Sequence, residues 1–149
     1  MSEEFKYVVR LAETDLDGTR NVVEALARIC GIGWNTAVAV CRIVGIDTRR
    51  RLGELSDAEL RKVEEVIRKL HEYVPGWFCN RPKDPRTGKD VHLVGSDLVL
   101  AVRADVELLK KIKCWRGIRH SLGLKVRGQR TRTTGRTGVT IGVTKKPKK

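Results

Sequence analysis

Apolar residues recur at three-to-four spacing along much of the chain, and glycine or proline closes most of these runs. Val22, Val23, Leu26, Ala27 and Ile29-Cys30 predict a first helix, with Glu24 and Arg28 on its wet side and Gly31 as its stop. Ala37, Val38, Val40, Cys41 and Val44 predict a second, ending at Gly45. Only Gly31-Ile32-Gly33 and a turn separate the two, so they form a tight hairpin, with Ile32 plugged into the core. Ser56-Asp57-Ala58-Glu59 matches the capping box, in which the serine oxygen takes the third amide and the glutamate reaches back. The stripe Leu60, Val63, Ile67, Leu70 then predicts a third helix, with Leu52 and Leu55 packed beneath it. Its wet face carries Glu64-Arg68 and Glu65-Lys69, each with the acid four residues ahead of the base. A fourth helix is capped by Ser96 or Asp97, striped by Leu98, Val102, Val106, Leu109 and Ile112, and ends among Lys110, Lys111 and Lys113, where cations suit the helix dipole.

The alternation pattern is weaker. Phe5, Tyr7 and Val9 suggest an extended arm, and Asp15-Leu16-Asp17-Gly18-Thr19 reads as a turn that leads into the first helix. Pro75 closes the third helical region. Residues 75–95 hold three of the four prolines and a turn, Asp84 to Lys89, between two short strand-like stretches, Trp77 to Asn80 and Val91 to Val94; a β-hairpin is expected there. The fold expected from pattern alone is mainly α: a helical body over 1–116 with a small β-hairpin insertion at about 75–95, then an extended basic tail over 117–149. From Gly117 onward the 33 residues include six glycines, seven aliphatics and no aromatic, too little apolar surface to offset the entropy of ordering by itself.

Charge sharpens this division. Residues 1–102 carry 16 basic and 16 acidic side chains, whereas 103–149 carry 15 basic and two acidic; no carboxylate follows Glu107. The whole excess of +13 sits in the C-terminal third. Such a stretch repels itself, and a polyanion relieves that repulsion while releasing its own counterions. Between 116 and 136 there are six Arg and one Lys: Arg116, Arg119, Lys125, Arg127, Arg130, Arg132 and Arg136. The guanidinium fork grips phosphate at two points and stacks on bases, threonine hydroxyls add phosphate contacts, and glycine permits close backbone approach. Lys145 to Lys149 adds a second, flexible kind of charge.

Other residues admit two readings. The Gly31-Ile32-Gly33 turn is either a tight connection or a small anion site of outward amides beside a helix N-terminus. His120 lies among arginines and either touches phosphate or base or is simply exposed. His71 and His92 read as structural or exposed. Trp115 caps the core where the fourth helix ends, or stacks on a base. Trp34 and Trp77 read as packing or partner-facing aromatics, and Arg49-Arg50-Arg51 as a solvated loop or a further phosphate contact. Cys30, Cys41, Cys79 and Cys114 form no Cys-x-x-Cys pair and read as buried free thiols, without metal or disulfide framework.

Several classes are excluded as expectations. No apolar run exceeds about five residues against the roughly 20 of a membrane span. The opening Met1-Ser2-Glu3-Glu4 lacks the pattern of a secretory leader. No nucleophile elbow, phosphate loop or zinc-protease motif is present, so neither catalysis nor a cofactor is expected.

The string Trp115-Arg116-Gly117-Ile118-Arg119-His120 and then Gly123 to Thr133, together with Gly31-Ile32-Gly33, Gly45-Ile46-Asp47 and Leu52 to Ser56, resembles the universal small-subunit ribosomal protein family number thirteen, called eighteen in eukaryotes. The likeness runs through nearly the whole chain. The longer 75–95 segment is similar to the archaeal and eukaryotic branch, and an archaeal type is expected. The resemblance implies a helix-two-turn-helix body and a cytoplasmic role in the head of the small ribosomal subunit. Its implied partners are small-subunit rRNA, P-site tRNA, small-subunit ribosomal protein number nineteen, and large-subunit rRNA with large-subunit ribosomal protein number five at inter-subunit bridges, with no membrane. Carried over by position, Gly31 and Gly33 fall on its glycine motif, and Arg116, Arg119, His120, Arg127, Gln129, Arg130 and Arg132 on its RNA-binding string. Residues 137–149 depart from the bacterial pattern. The rival reading is a helix-two-turn-helix DNA-binding or DNA-repair module; a polybasic membrane-surface protein is a third.

Overall fold

The computed structural model describes residues 5–134. The element order is β1 (Val8–Leu11), β2 (Thr14–Asp17), α1 (Val22–Leu26), α2 (Trp34–Val44), α3 (Asp57–Arg68), α4 (Leu70–Tyr73), α5 (Gly95–Lys111) and α6 (Trp115–Ser121), with single 3₁₀ turns at Leu52–Glu54 and Gly76–Phe78. The fold is mainly helical with one small β-hairpin. The chain divides into two compact units, Met1–Ala101 and Val102–Lys149, with the boundary inside α5.

The hairpin is not where the sequence pattern suggests. β1 and β2 pair antiparallel, Val8 with Asp17 and Leu11 with Thr14. Asp15-Leu16-Asp17 is therefore strand, not the start of a helix. The connection is Ala12-Glu13, both with positive φ (45° and 63°), the backbone of a two-residue hairpin turn. Neither residue type advertises such a turn, which is why the pattern misses it. Val9, Leu11 and Leu16 face the core, while Tyr7 and Val8 are exposed. In residues 75–95 the expected strands are absent: a 3₁₀ turn and a single bridge, Arg81 with Val91, stand in their place. The Asp84-to-Lys89 turn does form, with the Asp84 amide donating to the Lys89 carbonyl at 2.9 Å and Gly88 donating to Asp84. Three prolines and the Asp84 side chain, which binds Thr87 and Arg81, hold this segment as an irregular loop instead of a ladder.

The first helix is shorter than expected: α1 ends at Leu26, and tight turns, Ile29 N–H to Leu26 O and Ile32 N–H to Ile29 O, carry the chain to Gly31 in place of a continued helix. α2 and α3 follow their sequence signals closely. Ser56 Oγ accepts the Glu59 amide, and the Glu59 carboxylate accepts the Ser56 amide at 2.9 Å, completing the capping box. Gly45 ends α2 in the left-handed conformation with φ +81°. Leu60, Val63, Ile67 and Leu70 are buried, and Leu52 and Leu55 lie fully buried in the same core. That core joins β1, β2, α1, α2, α3 and Leu70 of α4 around Leu16, Leu26, Ile29, Val40 and Leu52. Arg68–Glu64 (2.7 Å) and Lys69–Glu65 (3.5 Å) pair as expected. Glu24 departs from expectation and pairs with Arg20 instead of Arg28.

The predicted stripe of α5 buries nothing completely. Leu98, Val106 and Leu109 are half-buried, whereas Val102 and Ile112 are exposed. In the second unit Gly117 alone of the described residues is buried.

Candidate nucleic-acid interface

In the first unit the glycine turn separates into two roles. Gly31 has φ +96°, and a Cβ there would come within 2.5 Å of the Leu93 carbonyl oxygen. The turn is tied to the following chain by Gly95 N–H donating to Cys30 O (2.8 Å) and by His92 Nε2, 3.1 Å from Gly31 O. Gly31 is thus a packing position, the tight connection among the two readings. Gly33 differs. It caps α2 with extended backbone (φ −95°, ψ 179°), has no side-chain cap, and faces open space. The first amides of α2 have no helical carbonyl to bind, so this helix end favours an anion. Ile32 is buried and anchors the turn, while Trp34 stands 61% exposed beside it.

His92 is the one buried polar or charged side chain among the described residues. Its Nδ1 accepts the Asn80 amide at 3.4 Å and its Nε2 faces Gly31 O, which fits the neutral ring protonated at Nε2. Burial lowers its pKa, a shift only partly countered by the Gly31 carbonyl. This is a structural histidine. Arg50 is likewise committed, to Glu59 at 3.1 Å and to the Glu54 carbonyl at 2.9 Å, so only Arg49 and Arg51 of that triplet are exposed. The Glu59 pKa is lowered by its bonds to Ser56 and by the neighbouring Arg50.

In the second unit, helix runs through Gly117 to Ser121, past the point where the pattern expected the tail to begin. Two local features explain it. Cys114 Sγ accepts the Gly117 amide at 3.4 Å and caps the helix. Gly117 also packs directly on the Leu109 carbonyl, where any Cβ would collide. α6 places Arg116, Arg119 and His120 at i, i+3 and i+4, on one side of the helix. Arg116 is exposed; Arg119 and His120 are half-buried. Trp115 is 72% exposed and does not cap a core, contrary to the favoured expectation. With the Arg119 guanidinium 5.9 Å from its ring centre, it makes a cation–π pair.

Arg119 also sets the path of the chain beyond α6. Its Nε donates to the Lys125 carbonyl at 2.9 Å, and Leu124 N–H returns to the Arg119 carbonyl. Past this clamp the string forms tight local turns: Arg127 N–H donates to Gln129 Oε1 (3.0 Å) and Thr134 Oγ1 to the Arg130 carbonyl (2.7 Å). Lys125, Arg127, Gln129, Arg130 and Arg132 are all exposed. Arg116, Arg127 and Arg130 have no carboxylate partner among the described residues. Arg136 and residues 137–149 lie outside the described residues.

The cysteines are free: Cys41 and Cys79 are buried, as expected, but Cys30 is exposed and Cys114 half-buried. Burial raises the pKa of both buried thiols. Among the described residues no group of three or more His, Cys, Asp or Glu could hold a metal. No helix among them is long and apolar enough to cross a membrane.

The sequence model of a family described as ribosomal protein S13/S18 matches residues 10–137, a span holding most of the hairpin and core, the glycine turn and the arginine string. Over 146 residues the chain is 58% identical to the small ribosomal subunit protein uS13 of Pyrobaculum calidifontis, covering 98% of this chain and 95% of that one. The uS13 protein of Saccharolobus solfataricus is 59% identical over 147 residues, covering 98% and 89%. That of Staphylothermus marinus is 53% identical over 143 residues, covering 95% of each. With a match of this extent, the chain belongs to the S13/S18 family of ribosomal proteins, in its archaeal form, a family that is structural and not enzymatic.

Proposed function

We propose that this protein is a structural component of the head of the small ribosomal subunit, held there by contact between its second unit and small-subunit rRNA. The supporting observation is the exposed set Arg116, Arg127 and Arg130, which faces solvent without a carboxylate in a unit that has almost no core of its own. Close-packed phosphates supply the missing counter-charge, and release of their condensed cations drives binding. Arg119, Lys125, His120, Gln129, Arg132 and Arg136 complete the contact by their place in the string. The open end of α2 at Gly33 adds a weaker phosphate contact from the first unit, while Gly31 shapes the turn that presents it. The division of labour is a body over 1–116 that roots a tail over 117–149. By family resemblance the tail end reaches P-site tRNA in the cytoplasmic ribosome. On the same ground the body neighbours small-subunit ribosomal protein number nineteen and meets large-subunit rRNA and large-subunit ribosomal protein number five at inter-subunit bridges.

The test is a filter-binding salt titration of the full chain on transcribed small-subunit rRNA. Replacing Arg127, Arg130 and Arg132 by Ala removes about three phosphate contacts. It should flatten the log–log salt dependence by roughly 2–3 and weaken binding about 10²-fold at moderate salt, with the helical circular dichroism unchanged. A variant that binds like the parent overturns the reading.

A further inference from the structure

The loop between α4 and α5 carries an aromatic and three cations that neither the core nor the arginine string accounts for. Trp77 is 82% exposed, the most open large apolar side chain of the described residues. It is propped edge-on by Phe78, with ring centres 5.8 Å apart at 82°. Beside it, both acids of the loop are engaged in hydrogen bonds, Asp84 half-buried and Asp90 exposed. Asp84 binds Arg81 Nε at 2.6 Å together with the amide and hydroxyl of Thr87. One oxygen of Asp90 accepts the Lys83 amide at 2.8 Å, and the other lies against Gly76, next to Trp77. The Asp90 carboxylate thereby joins the Trp77 turn to the base of the Asp84–Lys89 turn, where Asp84 N–H meets the Lys89 carbonyl.

The consequence is a small surface with one open indole and three exposed cations, Lys83, Arg86 and Lys89, whose side chains have no partner among the described residues. A lone exposed tryptophan needs no explanation by itself. Here it belongs to a loop with three unpartnered cations, whose two carboxylates already accept from backbone amides, threonine and Arg81. An apolar protein partner would have to strip water from three unpaired cations. Unpaired RNA offers a π-face for the indole and phosphates for the rim together.

We propose that this loop is a second RNA-contact site of the protein: Trp77 stacks on an unstacked base of small-subunit rRNA while Lys83, Arg86 and Lys89 neutralise the adjoining phosphates. The inference rests on the RNA-binding reading given above and adds a site that the arginine string does not contain. The experiment measures binding of the full chain to transcribed small-subunit rRNA, with the Arg127/Arg130/Arg132 variant run in parallel. Trp77→Ala should weaken binding by about 5- to 150-fold, and Trp77→Phe should recover most of it, because stacking needs a ring and not an indole N–H. Replacing Lys83, Arg86 and Lys89 by Ala should flatten the salt dependence by roughly 2–3. All four side chains are exposed, so urea midpoints should match the parent. If Trp77→Ala and the lysine–arginine variant bind like the parent while the arginine-string variant fails, the loop site is wrong and the first reading stands. If none of the variants differs from the parent, both readings fall. If Trp77→Ala binds bare rRNA normally and loses only its incorporation into assembled subunits, a protein covers the patch and the inference is overturned.

Discussion

The two units of this protein handle charge and apolar surface in opposite ways. In the first, many cations are matched with acids: Arg50 with Glu59, Arg68 with Glu64, Arg81 with Asp84, and Lys6 with Asp57. Its large aliphatics, Leu16, Leu26, Ile29 and Leu52, are sealed from water. In the second, Val102, Leu108, Ile112 and Leu122 remain in solvent, and Arg116, Arg127 and Arg130 have no carboxylate partner among the described residues. Surface ion pairs contribute little to stability, so the pairing in the first unit matters mainly because it neutralises charge around the core and leaves other cations exposed, among them Lys83, Arg86 and Lys89. The difference teaches that stability is housed in the sealed core, and affinity in exposed cations of the second unit and of the loop around Trp77. Substitutions in the core of the first unit should move unfolding, and substitutions of exposed cations, in the arginine string or at Lys83, Arg86 and Lys89, should move the salt dependence of RNA binding.

Four expected outcomes test that separation, from the largest effect to the smallest. Leu26→Ala empties a fully buried site between α1 and its neighbours and should cost about 2–5 kcal/mol by urea unfolding. Where the variant is still folded, its log–log salt slope on rRNA should equal the parent's; a changed slope breaks the comparison. Gly31→Ala places a Cβ on the Leu93 carbonyl at positive φ and should cost roughly 1–3 kcal/mol. Gly33→Ala, at an ordinary φ with open space around it, should cost much less. If the two are equally destabilising, the division of roles within the glycine turn is wrong.

Glu59→Gln keeps the shape of the capping box and loses its charge. At neutral pH it should cost about 1 kcal/mol. The Glu59 pKa is lowered by folding, so its contribution is present above the ordinary glutamate range and disappears as pH falls through the folded value. The gap between variant and parent should therefore close in acid; a gap independent of pH would show that the carboxylate charge is irrelevant there. The smallest effect concerns His92. Burial lowers its pKa, so the unfolded chain takes up a proton first as pH drops below the ordinary histidine range, and stability declines. Protonation at Nδ1 also replaces the acceptor of the Asn80 amide by a donor. The protection factor of the Asn80 amide, its exchange rate taken relative to the intrinsic rate at each pH, should fall between neutral and mildly acid pH, and His92→Gln should remove most of that pH response.

Much of the first unit was legible residue by residue. The Ser56–Glu59 box, the Leu60-to-Leu70 stripe and the Gly45 stop are signals that short-range sterics and hydrogen bonding enforce wherever they occur, and all three appear as expected. The misses share one cause. The Thr14–Asp17 strand, the exposed Trp115 and the loop in place of a hairpin at 75–95 each depend on what lies opposite in space. β2 has a single core-facing residue, Leu16, and becomes a strand because β1 pairs with it. Among the candidate site residues, the sequence supplied the arginines but could not separate Gly31 from Gly33, nor foresee that Arg119 would clamp the Lys125 carbonyl.

Composition by itself determined that the chain has a neutral part and a cationic part, and local spacing determined where its best helices start and stop, because both are properties of neighbouring residues. Only the tertiary structure decided which glycine packs and which stays open, which histidine is buried, and which acids are consumed internally so that Lys83, Arg86 and Lys89 are left exposed. Those outcomes turn on contacts between residues far apart in the chain, such as Gly31 with Leu93 or Gly76 with Asp90, and no local pattern encodes them.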